Sequence, residues 1–183
     1  TALVIIARCG LRISEPMRLQ DHHFVREDRT LYIEKTKFKK DRLIPLPSGV
    51  VRQLENYLSV RKALIPKKSN PLLLIDANHT GLYTDKIYRL FHPGLKAAGI
   101  VAPRQIIGDV VFGSPTVHSL RHSFAVNTLK RIKARGDCVQ HALPVLAAYM
   151  GHCKYRYTGT YLKVLDANQR QGLIEFARMR TEL

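Results

Sequence analysis

Apolar residues crowd the start of the chain, where Ala2-Leu3-Val4-Ile5-Ile6-Ala7 forms a run that reads as a buried helix or strand and stops at Cys9-Gly10. Ser14-Glu15-Pro16 then carries the marks of a helix start: a serine cap, an acid in the first turn, and a proline where no N–H is needed. Arg12 thereby falls at a helix-turn-helix junction, where a side chain is held firmly yet projects from the helical faces. The pattern next shortens to strands at Phe24-Val25-Arg26, Leu31-Tyr32-Ile33-Glu34 and Arg42-Leu43-Ile44-Pro45. Glu27-Asp28-Arg29 is the first turn and the segment from Lys37 to Asp41 the second. The expectation is a small antiparallel meander in the N-terminal third.

Helical spacing dominates the remainder. Ser48 is placed to cap a helix whose inner stripe is Val51, Leu54, Tyr57, Leu58 and Leu64, ending before the loop Pro66-Lys67-Lys68-Ser69-Asn70-Pro71. A second helix covers Tyr83 to Phe91 and is interrupted at His92-Pro93-Gly94, while Gly99 to Pro115 has too little period to assign and is either a β excursion or a loop. From Ser119 to about Arg135 a helix turns Phe124, Val126, Leu129 and Ile132 inward, with Lys130, Arg131, Lys133 and Arg135 outward. A short apolar helix runs from Pro144 to Met150 and stops at Gly151. Asp166 is positioned to cap a last helix with Leu173, Ile174 and Phe176 on its apolar side. The fold class expected is α+β, mainly helical, with one domain over residues 1–183.

Charge narrows the partner. Thirty Lys and Arg stand against 14 acids, a formal charge of +16 and a pI of about 10.1, which favours a polyanion and nucleic acid first. Hydrophobic residues make up 45% of the chain, enough for one folded core. Cys9, Cys138 and Cys153 are an odd number with no paired spacing, as in a reducing compartment. No apolar run reaches the roughly 20 residues of a membrane span, and no signal peptide precedes the first run, so the expected location is cytoplasmic. The chain enters an apolar element directly without Met, which suggests that an N-terminal segment is absent from it.

Four stretches carry candidate chemistry: Cys9-Gly10-Leu11-Arg12-Ile13-Ser14-Glu15, Lys37-Phe38-Lys39-Lys40-Asp41-Arg42-Leu43-Ile44-Pro45-Leu46, His118-Ser119-Leu120-Arg121-His122-Ser123-Phe124, and Tyr149 to Tyr161 with Gly151-His152 inside it. Breaking a phosphodiester without metal takes an attacking oxygen, cationic donors on the non-bridging oxygens and an acid for the leaving oxygen. This set holds all three. His118 and Arg121, three apart at a helix start, share a face and can reach one phosphate, and the rigid forks of Arg12 and Arg121 match phosphate oxygens in a way lysine cannot.

In this order the stretches resemble the boxes of the tyrosine recombinase (phage integrase) family: an arginine box, a lysine hairpin, His-x-x-Arg, and Gly-His with a tyrosine nine positions on. The resemblance covers nearly the whole chain. It implies an integrase-type catalytic domain in which Tyr161 is the nucleophile, Arg12 and Arg121 clamp the phosphorane, Lys37 protonates the leaving oxygen, His118 exchanges a proton with Tyr161, and His152 donates to the phosphate. Tyr157 is the second choice of nucleophile, and Lys39 and Lys40 are rivals to Lys37. Glu15 either orients a neighbouring cation or is simply a helix-start charge. Pro16 and Cys9 depart from the family's usual residues, and the connection from Arg121 to His152 is long.

The function implied is site-specific recombination of double-stranded DNA through a 3′-phosphotyrosyl intermediate. No cofactor and no metal are implied, and a tetramer on paired sites forms from domains that are monomeric alone. The rivals are a type IB topoisomerase-like nicking and closing enzyme, a catalytically silent DNA-binding module, and a metal nuclease using Cys138, His141, His152 and Cys153, whose spacing fits no finger pattern.

Overall fold

The computed structural model describes residues 1–34, 41–65, 70–100, 103–107, 110–152, 154 and 156–181, with side chains as far as 167 and at 169. The tip of the lysine hairpin, with Lys37, Lys39 and Lys40, lies outside the described residues, as does Cys153.

The opening apolar run is a helix, α1 (Ala2–Cys9), which buries Ala2, Ile5, Ile6 and Cys9 and ends on Gly10 at φ +61°. The expected helix after Ser14 does not form. Glu15 instead turns back to accept the backbone N–H of Arg12 at 2.8 Å, and only a 3₁₀ turn, Pro16–Arg18, follows. A carboxylate engaged in this way is not free to solvate a helical first turn.

The meander forms as expected from β1 (Phe24–Val25), β2 (Thr30–Ile33) and β3 (Arg42–Pro45), with Leu31 opposite both Phe24 and Ile44. Residues two apart share a face, so the register that buries Ile44 also turns Arg42 towards the interior.

Helix α2 (Ser48–Leu64) buries Val50, Val51 and Leu54; Pro47, not Ser48, stands at its cap. Arg61 on α2 donates to the carbonyls of Asn70, Leu72 and Leu73, fastening the loop that follows. Helix α3 (Thr84–Ala97) runs through His92-Pro93-Gly94 without a break. Pro93 is exposed and so is Arg89, whose carbonyl the proline leaves unpaired, so water can take that hydrogen bond while Ile87 and Phe91 hold the buried side. The unassigned stretch contains a hairpin of β4 (Gln105–Ile107) and β5 (Val110–Phe112).

Helix α4 (Val117–Ala134) starts two residues earlier than predicted because Thr116 donates its backbone N–H to Ser119 Oγ at 3.0 Å in a capping box. Its buried stripe is Val117, Arg121, Ala125 and Leu129, spaced four apart, with an arginine in an otherwise apolar row. Helix α5 (Val139–Met150) likewise passes through an exposed proline, Pro144, and ends on Gly151 at φ +66°. Helix α6 (Arg156–Thr181) begins well before Asp166, which is mid-helix rather than a cap, and Tyr161 sits in its second turn.

Two cores result. One joins α1, the three-stranded sheet, α2 and α3; the other joins α4, α5 and α6 around Leu129, Leu143, Met150, Tyr161 and Leu165. Tyr149 packs against both, and α1 lies on α4 along the seam.

At Gly10 a β-carbon would combine a left-handed backbone with a collision against Phe124 Cδ1, whereas at Gly99, φ +65°, nothing lies within 4 Å. Gly10→Ala is therefore expected to lower stability by about 2–4 kcal/mol, and Gly99→Ala by about 1 kcal/mol of backbone strain. Urea unfolding of the two variants checks this, and equal losses would show that the contact with Phe124 is unimportant.

Candidate active site

The seam between the two cores is where two helices end. Gly10 and Gly151 take left-handed conformations that stop α1 and α5 and leave carbonyl oxygens without helical partners. Three arginines occupy them. Arg121, 1% exposed, donates Nη1–H to the Gly10 carbonyl and Nη2–H to the Met150 carbonyl, the latter at 2.7 Å. Arg12 donates Nη2–H to the Gly151 carbonyl at 2.6 Å, and Arg42 donates Nε–H to the Tyr149 carbonyl at 2.9 Å.

Glu15 ties two of these together. Its carboxylate is buried and accepts from Arg12 Nη1 at 2.9 Å, from Arg42 Nη1 at 3.1 Å and from Arg42 Nη2 at 2.9 Å. Burial opposes its charge, but the hydrogen bonds and charge of Arg42, then those of Arg12, hold its pKa below the usual carboxylate value. Of the two readings of Glu15, the orienting one fits this geometry. Gly151 is favoured by its φ of +66° and by tight quarters, since a β-carbon there would lie 3.0 Å from Arg42 Nη1 and 3.4 Å from Arg12 Nη1 and displace the guanidiniums.

Tyr161 enters the seam from α6 and is 3% exposed. Its hydroxyl lies 3.2 Å from Nδ1 of His122, a residue the sequence reading did not single out. His118, one turn earlier on α4, packs its ring edge-on against His122 at 4.5 Å between centroids. His152 stacks on Tyr161 at 6.2 Å, and its Nδ1 lies 2.8 Å from Thr158 Oγ1, which fixes the ring. Tyr157 is exposed and edge-on to His152.

Five of the six expected residues, Arg12, His118, Arg121, His152 and Tyr161, thus come together; the sixth, Lys37, is outside the described residues. Arg42 and His122 join them. Both had a signal in the sequence: Arg42 is two residues from the apolar Ile44 on a strand, and His122 is four from His118 on a helix. Among the described residues no group of three or more His, Cys, Asp or Glu is placed to hold a metal.

Burial, more than the arginines, sets the protonation of the histidines and the tyrosine. Burial first, then Arg121 and Arg12, lowers the pKa of His118, and brings that of His152 down to about 4. Burial, then His118 and Arg121, lowers that of His122. For Tyr161 burial raises the phenol, while Arg121 and Arg12 pull the other way without cancelling it. At neutral pH the site therefore holds cationic guanidiniums, neutral imidazoles and a neutral phenol.

The sign of the resulting pH dependence follows from linkage. The unfolded chain protonates these histidines near 6.5, whereas the folded chain resists until lower pH, so stability is full above 6.5 and is lost as pH falls towards the folded values. Glu15 adds its own loss only below its unfolded value of 4.5. The urea midpoint should therefore drop between about pH 7.5 and about pH 5, and by less in His152→Asn. A midpoint that stays level or rises on acidification would contradict the assignment.

Comparison with known proteins bears on the same residues. The model of the phage integrase family matches residues 1–168. Over 162 residues the chain is 32% identical to a protein of Sinorhizobium fredii named as an integrase/recombinase, y4rE, covering 88% of the chain and 49% of that protein. The chain spans about half the length of the curated relatives it matches. The crystal structure of XerA recombinase superposes with a TM-score of 0.69 at 24% identity, over 87% of this chain and 50% of that one. That of the XerH site-specific recombinase, bound to a palindromic difH substrate in a post-cleavage complex, gives 0.67 at 24%, over 96% and 44%. These likenesses establish a shared fold, mainly helical with small antiparallel sheets. With a family match that takes in Arg12, Arg121, His152 and Tyr161 alike, the chain belongs to the phage integrase family.

Proposed function

We propose that this chain is the catalytic domain of a site-specific DNA recombinase that breaks and rejoins strands through a tyrosine ester. The observation that carries the proposal is the meeting of the Arg12 and Arg121 guanidiniums, His152 and the Tyr161 phenol at one seam, on a chain of net charge +16.

Tyr161 Oη attacks the phosphorus, the bond to the 5′ oxygen breaks, and a 3′-phosphotyrosyl link remains beside a free 5′ hydroxyl. Attack by the hydroxyl of a partner strand reverses the step, so one ester is exchanged for another and no external energy source is required. Arg12 and Arg121 each use two N–H groups on protein oxygens, which leaves others for the non-bridging oxygens as their charge grows. His152, neutral, donates one N–H. Lys37 supplies the proton for the leaving oxygen. Guanidiniums provide the charge stabilisation that a divalent ion would otherwise give, so the reaction proceeds in EDTA. The XerH complex supports duplex DNA as the substrate here; we place the protein inside the cell, as a tetramer on paired sites.

Covalent trapping tests this. The full-length protein is incubated in EDTA with a nicked duplex of the sequence it selects from a random library, then run on a denaturing gel. A shifted band is expected, lost in Tyr161→Phe and about a hundredfold or more slower to form in Arg12→Ala. Binding of the duplex without any adduct would instead make the protein a silent DNA-binding module.

A further inference from the structure

The hydrogen bond at the phenol is made by a histidine that the family boxes do not assign. We propose that His122, rather than His118 to which the family resemblance gives the exchange, takes the proton from Tyr161 as it attacks, a role that rests on Tyr161 being the nucleophile.

Position comes first. Nδ1 of His122 is 3.2 Å from Tyr161 Oη, within the range for proton transfer, and it is the hydrogen-bond partner of that hydroxyl among the described residues. The step uses the tautomer in which Nδ1 presents its lone pair to the phenol and Nε2 carries the hydrogen. The imidazole is held at 4.5 Å by the edge of His118, so its orientation is set by packing on both sides. It also has an outlet. His122 and Tyr161 line a cleft of about 620 Å³ with Ser119, Ser123 and Lys163, through which a proton gained at the imidazole can pass to water.

Charge comes second. The titratable and charged groups that face His122 are His118 and Arg121 on its own helix, Tyr161 on α6, His152 after α5, and Lys130 and Lys163 on the walls of the cleft. Burial, His118 and Arg121 lower its pKa, so the ring is neutral at neutral pH and able to accept. The step balances: the Oη–H bond breaks, its proton joins Nδ1, Oη bonds to phosphorus, and the 5′ oxygen leaves with a proton from the acid on its own side. In rejoining, the imidazolium returns the proton to Tyr161 as the ester is displaced.

The test uses the trapping assay with His122→Gln, which can still accept a hydrogen bond from the phenol but cannot take its proton, and His122→Asn as a second variant. Two duplexes are compared, one ordinary and one with the scissile 5′ oxygen replaced by sulfur, which leaves without an acid. At unchanged DNA binding and unchanged thermal midpoint, at least one variant is expected to form the adduct on the order of a hundredfold more slowly on both duplexes. Recovery of the rate by sulfur would place His122 on the leaving-group side and overturn the proposal, as would parental rates on the ordinary duplex in both variants. If the parent binds DNA and forms no adduct, the nucleophile reading fails and takes this proposal with it; an adduct formed equally by parent and variants sinks this proposal alone.

Discussion

The Glu15 carboxylate, buried between Arg12 and Arg42, is the interaction on which the site depends. A carboxylate out of water is costly unless its oxygens are filled by donors, and here two guanidiniums and a backbone N–H fill them. The same contacts fix what Arg42 and Arg12 can do. Arg42 spends Nε, Nη1 and Nη2 on Glu15 and the Tyr149 carbonyl, so it is a strut; Arg12 keeps free N–H groups and is partly exposed, so it can meet a ligand. Lysine in place of Arg42 could not span a carboxylate and a carbonyl in one plane.

How three cations share a seam with one acid is answered by the helix ends. The carbonyls of Gly10, Tyr149, Met150 and Gly151 are the unpaired acceptors of α1 and α5, at the ends where the helix dipole is negative. Cations there are stabilised without further carboxylates, which would compete with a phosphate. The left-handed glycines follow from this: each turns the chain sharply enough to expose its carbonyls, and each lies against a side chain, Phe124 with no room for a β-carbon and Arg42 with room only if the guanidinium shifts.

The helices, the meander and the cluster of boxes were legible because hydrophobic period and residue spacing are local properties. The errors were local rules overruled by tertiary contact. Ser14-Glu15-Pro16 reads as a helix start until Glu15 is claimed by Arg42, 27 residues away. Pro93 reads as a break and Pro144 as a helix start, yet both lie inside helices and face water, where the lost hydrogen bond costs less than giving up the buried side. Arg42 stands in the sequence only as a strand residue at the end of the lysine hairpin; strand alternation puts it on the same face as Ile44, but only the pairing with β2 decides which face is inside. His122 was overshadowed by the motif around it, since nothing in a sequence says which of two histidines four apart will reach a tyrosine on another helix.

The electrostatics of the empty and the occupied site differ in a way that suits the chemistry. Burial first, and the neighbouring cations after it, keep the imidazoles neutral, and the Tyr161 phenol, buried, keeps its proton. A phosphodiester brings a negative charge into contact with the same guanidiniums. The field of Arg121 on His122 is then offset, and an imidazole beside an anion holds a proton more tightly than one beside a cation. The basicity needed to take the phenol proton thus rises when the group to be attacked is in place, whereas a phenolate formed in its absence would have to persist against burial. A densely cationic site that leaves its nucleophile protonated at rest is in this sense consistent: burial first, then His118 and Arg121, hold down the basicity of His122, and a phosphate on Arg121 offsets the last of these.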